Sequence, residues 1–334
     1  MVTYSSLKIT IFLFLHPRIY NKSMKNIFQR ILLAKPTMYS NSLILNILGM
    51  QLYRILFFYL YRVLRTPKPI PEKYKSYFNE LMENGVVVVP NFFNEETYTK
   101  IKAEYDKLTP EFDDDPSEVA LPHVKRILTD DSRVSSLFRD SFDKNEMLEA
   151  IQKSYTNRNY YLPKQIALTK IFVNEDEINL PKNGYIHNLH IDAPMRVFKA
   201  FYYVRDTDKE NGAFSYCLKS NKRNSLKRLW LEYKLSIRFA KNKGNSEHQG
   251  EYLNDAPWVK VTDEEAKENN LIPTVMAAKG NSMIFADVGG FHKRGSFSSS
   301  ISRDTVETNF REVETMRNNF YPIENFLKKH ILKK

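Results

Sequence analysis

Residues 41–65 carry the clearest helical pattern in the chain. Projected at 100° per residue, Asn46, Gln51, Arg54, Arg62 and Arg65 gather on one side, while Leu, Ile and Phe fill the rest. A second helical pattern lies within 219–250, where Leu226, Leu229, Trp230, Tyr233 and Ile237 recur at helical spacing among lysines and arginines. Between these two stretches the pattern changes. A helix-like segment over 72–84 closes at Gly85, which suits a C-cap. Residues 86–89 are four consecutive valines, a buried strand stopped by Pro90, and Asn94 then caps a helix with Glu95 and Glu96 in its first turn.

Strand signals dominate further on. Runs of β-branched and aromatic residues at 165–173, 184–192, 196–204, 282–287 and 305–311 are bounded by Asn, Asp, Gly and Pro. The acidic residues at 111–115 read as a solvated loop. No fixed-period repeat is visible. Helices followed by many short strands predict a mainly β, α+β protein with flanking helices, built as an antiparallel barrel or jelly roll. The Pro-rich stretch 66–71 is a stiff boundary. It separates a basic N-terminal extension, 1–71, from a body, 72–334, with a basic helical insertion at about 219–250.

Charge changes the picture. Of 334 residues, 50 are Lys or Arg and 39 Asp or Glu, a formal charge of +11. Residues 1–71 hold ten of the basic residues and no acidic one, which leaves 40 against 39 over the body. A near-neutral body lacks the basic stripe that phosphate tracking needs, so no nucleic-acid partner is expected. With one cysteine, Cys217, there is no disulfide framework, and a reducing, cytoplasmic setting is expected. The apolar run at 9–15 lacks the longer core and small-residue cleavage site of a signal peptide. For 41–65 two readings stand side by side: an interfacial helix with its cationic stripe among anionic headgroups, giving peripheral membrane contact through 1–71, or a helix packed on the protein's own core. The insertion at 219–250 is either a cover for the barrel with a solvated lysine face or a lid over an anionic substrate.

The candidate chemistry centres on His190-Ile191-Asp192. Residues two apart on a strand project to one face, so an imidazole and a carboxylate occupy two corners of a facial triad for non-haem iron(II). The third corner has to come from another strand, and a His–Asp hydrogen bond is the ordinary alternative. Downstream, a strand-like run over 280–287 leads through Gly289, Gly290 and Phe291 to His292, and Arg303 follows eleven residues later. A His ending one strand and an Arg opening the next face the same cavity. Arg303 offers a planar fork to a carboxylate, and Thr305 adds a hydroxyl on the same face. His187 sits at odd spacing from Asp192 and is not expected to be a ligand.

These motifs resemble the phytanoyl-CoA dioxygenase family of iron(II)/2-oxoglutarate oxygenases. The resemblance runs from about residue 85 to 311, through the valine strand and capped helix, His190 and Asp192, the 206–212 turn with Asn211-Gly212, then 280–292 and Arg303. It implies a double-stranded β-helix (jelly-roll, cupin-like) core. It also implies His190, Asp192 and His292 as iron ligands and Arg303 as the anchor of the 2-oxoglutarate cosubstrate. Phe201 stands where the family often has an aromatic wall for the cosubstrate. Lys170, on the preceding strand, either reaches the cosubstrate or lies along the surface. The sequence departs from the family after Asn-Gly: Cys217-Leu218-Lys219-Ser220-Asn221-Lys222 replaces the usual Pro-Gly-Ser-His turn. The implied activity is oxidation, favouring hydroxylation of a small-molecule or lipid-linked substrate because the carboxylate ligand is present. The alternative is a catalytically silent binding protein of the same fold.

Overall fold

In the computed structural model, which describes residues 39, 42–63, 68–115, 122–156, 166–180, 189–192, 198–242 and 259–309, two antiparallel sheets face each other and helices cover the outside. The chain order begins with α1 (Leu43–Ile47), α2 (Met50–Val63), α3 (Lys75–Asn84), β1 (Val86–Val89), α4 (Glu95–Leu108), β2 (Asp113–Asp114) and β3 (His123–Leu128). It continues with α5 (Ser136–Asp143), α6 (Glu146–Thr156), β4 (Ile166–Phe172), β5 (His190–Ile191), β6 (Phe198–Tyr203), β7 (Ser215–Cys217) and α7 (Leu226–Asn242). The last elements are β8 (Val259–Lys260), α8 (Asp263–Glu268), β9 (Pro273–Val275), β10 (Ser282–Asp287), β11 (His292–Lys293) and β12 (Arg303–Asn309).

The large sheet runs β1-β10-β6-β12-β4-β3-β2 and the small one β8-β5-β11-β7-β9. Alternation along the large sheet sorts its side chains. Val87, Val89, Leu168, Phe198, Ala200, Tyr202, Met283, Phe285 and Val306 turn to α3–α6 and make the main core with Leu81, Ile101, Phe138, Phe142 and Leu148. Lys199, Phe201 and Tyr203 alternate with them and so face the small sheet, as do Arg303, Thr305 and Glu307 of the neighbouring strand. β10 is covered on both faces, with all six residues buried.

Local signals place the first helices as predicted. Asn94 accepts a hydrogen bond from Thr97 N at 2.9 Å, an N-cap of a kind worth about 1 kcal/mol. Gly85 ends α3 in the left-handed region at φ +80°, and a Cβ there would lie 2.4 Å from Tyr216 Oη of the small sheet. The strand expected at 184–192 is described only at its end, and that expected at 305–311 starts earlier, at Arg303, and is described as far as Asn309. The 111–115 stretch is solvated at Glu111, Asp113 and Asp114 as expected, but it forms a short edge strand rather than a loop. Asp113 and Asp114 pair with Arg126 and Lys125 of β3, and Asp115 is buried in an ion pair with Arg126, because β3 presents two cations opposite three acids.

Of the two readings of 41–65, packing on the protein's own body is the one that its polar edge follows. The segment breaks into two helices at Leu48-Gly49, and its polar edge turns inward. Asn46 Nδ2 donates to the Ser236 carbonyl at 2.6 Å, Gln51 Nε2 donates to Glu232 Oε2 at 2.9 Å, and Arg54 is buried. Ile44, Leu48 and Leu56 are exposed instead. The stripe that holds Arg54 is therefore not free to sit among headgroups, because Glu232 and Ser236 of α7 supply partners for the polar groups beside it. Arg65 lies outside the described residues. Within the basic insertion, α7 covers 226–242 and residues 243–250 are outside the described set. Among the described residues no helix is long and apolar enough to cross a membrane.

Candidate metal centre

The small sheet brings the two histidines together. His190 of β5 pairs directly with His292 of β11, and their rings lie 4.4 Å apart between centroids. Asp192 follows β5 immediately, its N–H bonded to the Val288 carbonyl at 3.0 Å. Its Oδ1 is 3.5 Å from His190 Nε2 and 3.3 Å from His292 Nε2. One ligand atom from each residue falls within 4.8 Å of the others, and both histidines are buried.

Neighbouring groups fix the tautomer and charge. His292 Nδ1 lies 3.0 Å from the Gly290 carbonyl and donates to it, which leaves Nε2 as the ring atom that faces Asp192. Burial opposes a charge on Asp192, but the Lys199 ammonium, and after it His292 and His190, outweigh burial and hold the carboxyl well below the usual range. Lys199 reaches Asp192 Oδ2 from the facing sheet, leaving Oδ1 to the rings. Two imidazole nitrogens and one ionised carboxylate oxygen are the donor set that suits iron(II) in a facial triad, so these residues fit the group that the sequence implies.

The turn before His292 is braced from several directions. Asp287 Oδ1 accepts from Gly289 N at 2.9 Å and Asp287 Oδ2 from Tyr155 Oη at 2.5 Å. The Gly289 carbonyl accepts from Arg223 Nη2 at 2.8 Å and Arg228 Nη2 at 3.2 Å, and Ser220 Oγ accepts from Phe291 N at 2.8 Å. Ser220 belongs to the stretch where the sequence departs from its family, and there it still ties that turn to the ligand strand. Both arginines also bond Glu232 Oε1 of α7, which has no solvent exposure. Burial disfavours charge on Glu232, yet Arg223 and Arg228 hold its carboxyl below the ordinary range.

Arg303 is buried on the inner face and donates through Nη1 to the Gly212 carbonyl at 2.7 Å. The Asn211-Gly212 turn thus has a concrete role: Asn211 Nδ2 holds the Ser302 carbonyl at 3.3 Å, and Gly212, at φ +77°, presents its carbonyl to the guanidinium. Thr305 is fully buried beside it, its Oγ1 3.3 Å from Glu307 Oε1. Glu307 in turn lies 3.7 Å from Arg303 Nη2. An aromatic wall leads from this end to the triad. The Tyr203 hydroxyl accepts from Phe214 N at 3.1 Å, Phe214 packs on Phe201 at 5.0 Å, and Phe214 lies 5.4 Å from the His292 ring.

Six of the seven residues singled out in the sequence therefore line one inter-sheet space: His190, Asp192, His292, Arg303, Thr305 and Phe201. Lys170 does not. It pairs with Asp304, one residue out of phase with Arg303 and Thr305, so it projects from the opposite face, with its ammonium 5.6 Å from the Phe172 ring centroid. His187 is outside the described residues. Lys199 and Glu307 were missed. Their only sequence signal is strand parity with Phe201 and Arg303. Cys217 is buried, and burial pushes its thiol up to about 12, which removes it as a nucleophile.

No protein-family model matches the chain, and no curated protein matches it significantly. Solved structures do. The epimerase SnoN, determined with Fe3+, alpha ketoglutarate and nogalamycin RO, aligns over 72% of this chain and 84% of its own at 12% identity and a TM-score of 0.50. The likeness is one of fold. HygX from Streptomyces hygroscopicus, determined with nickel, 2-oxoglutarate and hygromycin B, aligns over 70% of this chain and 85% of its own at 13% identity and a TM-score of 0.43.

Proposed function

We propose that this chain is an iron(II)- and 2-oxoglutarate-dependent oxygenase with a double-stranded β-helix core, of the kind its motifs resemble in the phytanoyl-CoA dioxygenase family. The observation that carries the reading is the convergence of His190, Asp192 and His292 to within 4.8 Å, with the buried Arg303 on the inner face of the large sheet as its support. SnoN, whose fold the chain shares, was determined with iron and the same 2-oxoacid. When bound, the metal and cosubstrate supply oxidation by O₂: a substrate C–H becomes C–OH while 2-oxoglutarate is released as succinate and CO₂.

The chain's own residues bind and orient. His190, Asp192 and His292 would hold the metal through two imidazole nitrogens and a carboxylate oxygen. Arg303 takes the distal carboxylate of the cosubstrate with its guanidinium fork, and Thr305 adds a hydroxyl donor. Phe201, Phe214 and Tyr203 exclude water between anchor and metal. Lys199 holds the outer oxygen of Asp192 and keeps that carboxylate ionised. The substrate class is a small or lipid-linked molecule with an unactivated C–H.

Anaerobic addition of iron(II) and 2-oxoglutarate tests the reading. The native protein is expected to develop a weak visible metal-to-cosubstrate band and to convert 2-oxoglutarate to succinate in air. His190→Ala and His292→Ala should abolish both. A native protein with neither band nor succinate ends the proposal.

A further inference from the structure

We propose that the outer ridge formed by α1, α2 and α7 is a docking surface for an anionic lipid bilayer. This goes beyond the oxygenase reading and does not depend on it. The observation is an inverted amphipathic pair of helices. A helix that stabilises its own domain normally buries its apolar side and leaves polar groups in water. Here Asn46 and Gln51 bond to α7 and Arg54 is buried, while among the described side chains Ile44 (70% exposed), Leu48 (77%), Leu56 and Tyr59 are exposed and Ile55 is buried.

The exposed positions are contiguous with those of α7. Tyr233 Oη donates to the Ile47 carbonyl at 2.9 Å, and Trp230 stacks on Tyr233 with ring centroids 5.3 Å apart. Leu226 (86%) and Trp230 (59%) extend the same ridge. Scattered exposed leucines need no explanation, but a contiguous ridge drawn from two segments more than 160 residues apart marks a contact surface.

Charge selects the occupant. Residues 1–71 contain ten basic residues and no acidic one; within 219–242, Arg223 and Arg228 pair with Glu232, Arg238 with Glu265, and Lys219 and Lys222 with Glu83, which leaves the lysines of α7 as its cationic border. Lys227 and Lys241 are exposed on α7 beside the apolar row, while Lys234 leans to Glu268 at 3.9 Å on its flank. Apolar side chains, interfacial Trp and Tyr, and a lysine border suit the boundary between acyl chains and anionic headgroups. A second copy would bring the same positive border against itself, which like charges oppose.

The test uses the full chain with phosphatidylcholine vesicles, with and without phosphatidylserine. The native protein should co-sediment with the anionic vesicles, and less so as salt rises. In a Trp258→Phe background, Trp230 is the remaining tryptophan, and its emission should shift to the blue on binding. The Leu48→Ser, Leu56→Ser, Leu226→Ser, Trp230→Ser variant removes four exposed apolar groups and should bind about a hundredfold more weakly with an unchanged thermal midpoint. Should that variant unfold, the pair Ile44→Ser and Leu226→Ser serves instead, with about a tenfold loss expected. Equal binding by native and variant overturns the proposal, since another segment then makes the contact. Absence of binding by the native chain also overturns it, whether or not a second copy, seen as a dimer that the variant abolishes, covers the ridge.

Discussion

Arg303 shows how much a single side chain decides in this site. Its guanidinium is held by the Gly212 carbonyl on one side and approached by Glu307 on the other, so its remaining N–H groups are aimed rather than free to swing. Arg303→Lys keeps the charge and loses the fork. The expected cost is about 1.5–3 kcal/mol of charged hydrogen bonding, roughly ten- to a hundredfold weaker 2-oxoglutarate binding by titration of the metal-loaded protein. Unchanged affinity would place the anchor elsewhere, and Lys170→Ala, on the opposite face, should have no effect. His190 and Asp192 were legible in the sequence from their shared strand face, and His292 and Arg303 from the order of motifs that resembles a known family. Lys199 and Glu307 were not. Which side chain stands opposite a given residue depends on the register between strands that are far apart in sequence.

At the scale of elements, the turn from Asp287 to His292 is the part most tightly built. Gly290 has no room for a side chain: a Cβ there would lie 1.9 Å from Tyr216 Oη and 2.9 Å from Ser220 Oγ. Its carbonyl also fixes the His292 tautomer. Gly290→Ala is expected to displace the turn, destabilising the fold by about 1–3 kcal/mol and weakening metal binding about ten- to a hundredfold. Denaturant titration and metal titration measure the two effects separately, and intact metal affinity would show that the carbonyl is dispensable. α7 is bolted to the same turn. Its Glu232 joins Gln51 of α2 to Arg223 and Arg228, both bonded to the Gly289 carbonyl, and Arg228 lies 3.9 Å over the Phe291 ring. Helical spacing revealed α7 and the helical character of 41–65. It did not reveal which face each would bury, because Glu232 is what draws the polar edge inward.

For the whole molecule, buried carboxylates set the response to acid. Glu232 and Asp192 both have folded pKa values below their unfolded ones, near about 4.3 and 3.9. Such groups contribute stability that is fully present above those values and is lost as pH falls toward the folded pKa. The metal-free protein is therefore expected to lose stability progressively below about pH 4. Glu232→Gln should cost about 3–5 kcal/mol at neutral pH, since it leaves Arg223 and Arg228 buried without their counter-ion, and should flatten the acid limb. Urea midpoints across pH measure both, and an unchanged acid limb would shift the cause to other carboxylates. By itself the sequence determined the kinds of element, the excess of charge before residue 72 and the pairing of His190 with Asp192 on one strand face, all of which follow from local spacing and composition. Only the tertiary structure decided that His190 and His292 stand opposite each other across two short strands, that Lys170 points away while Lys199 points in, and that the N-terminal helices turn their apolar side outward. Each of these depends on long-range register or on a buried partner supplied from elsewhere in the chain, and local pattern carries no record of either.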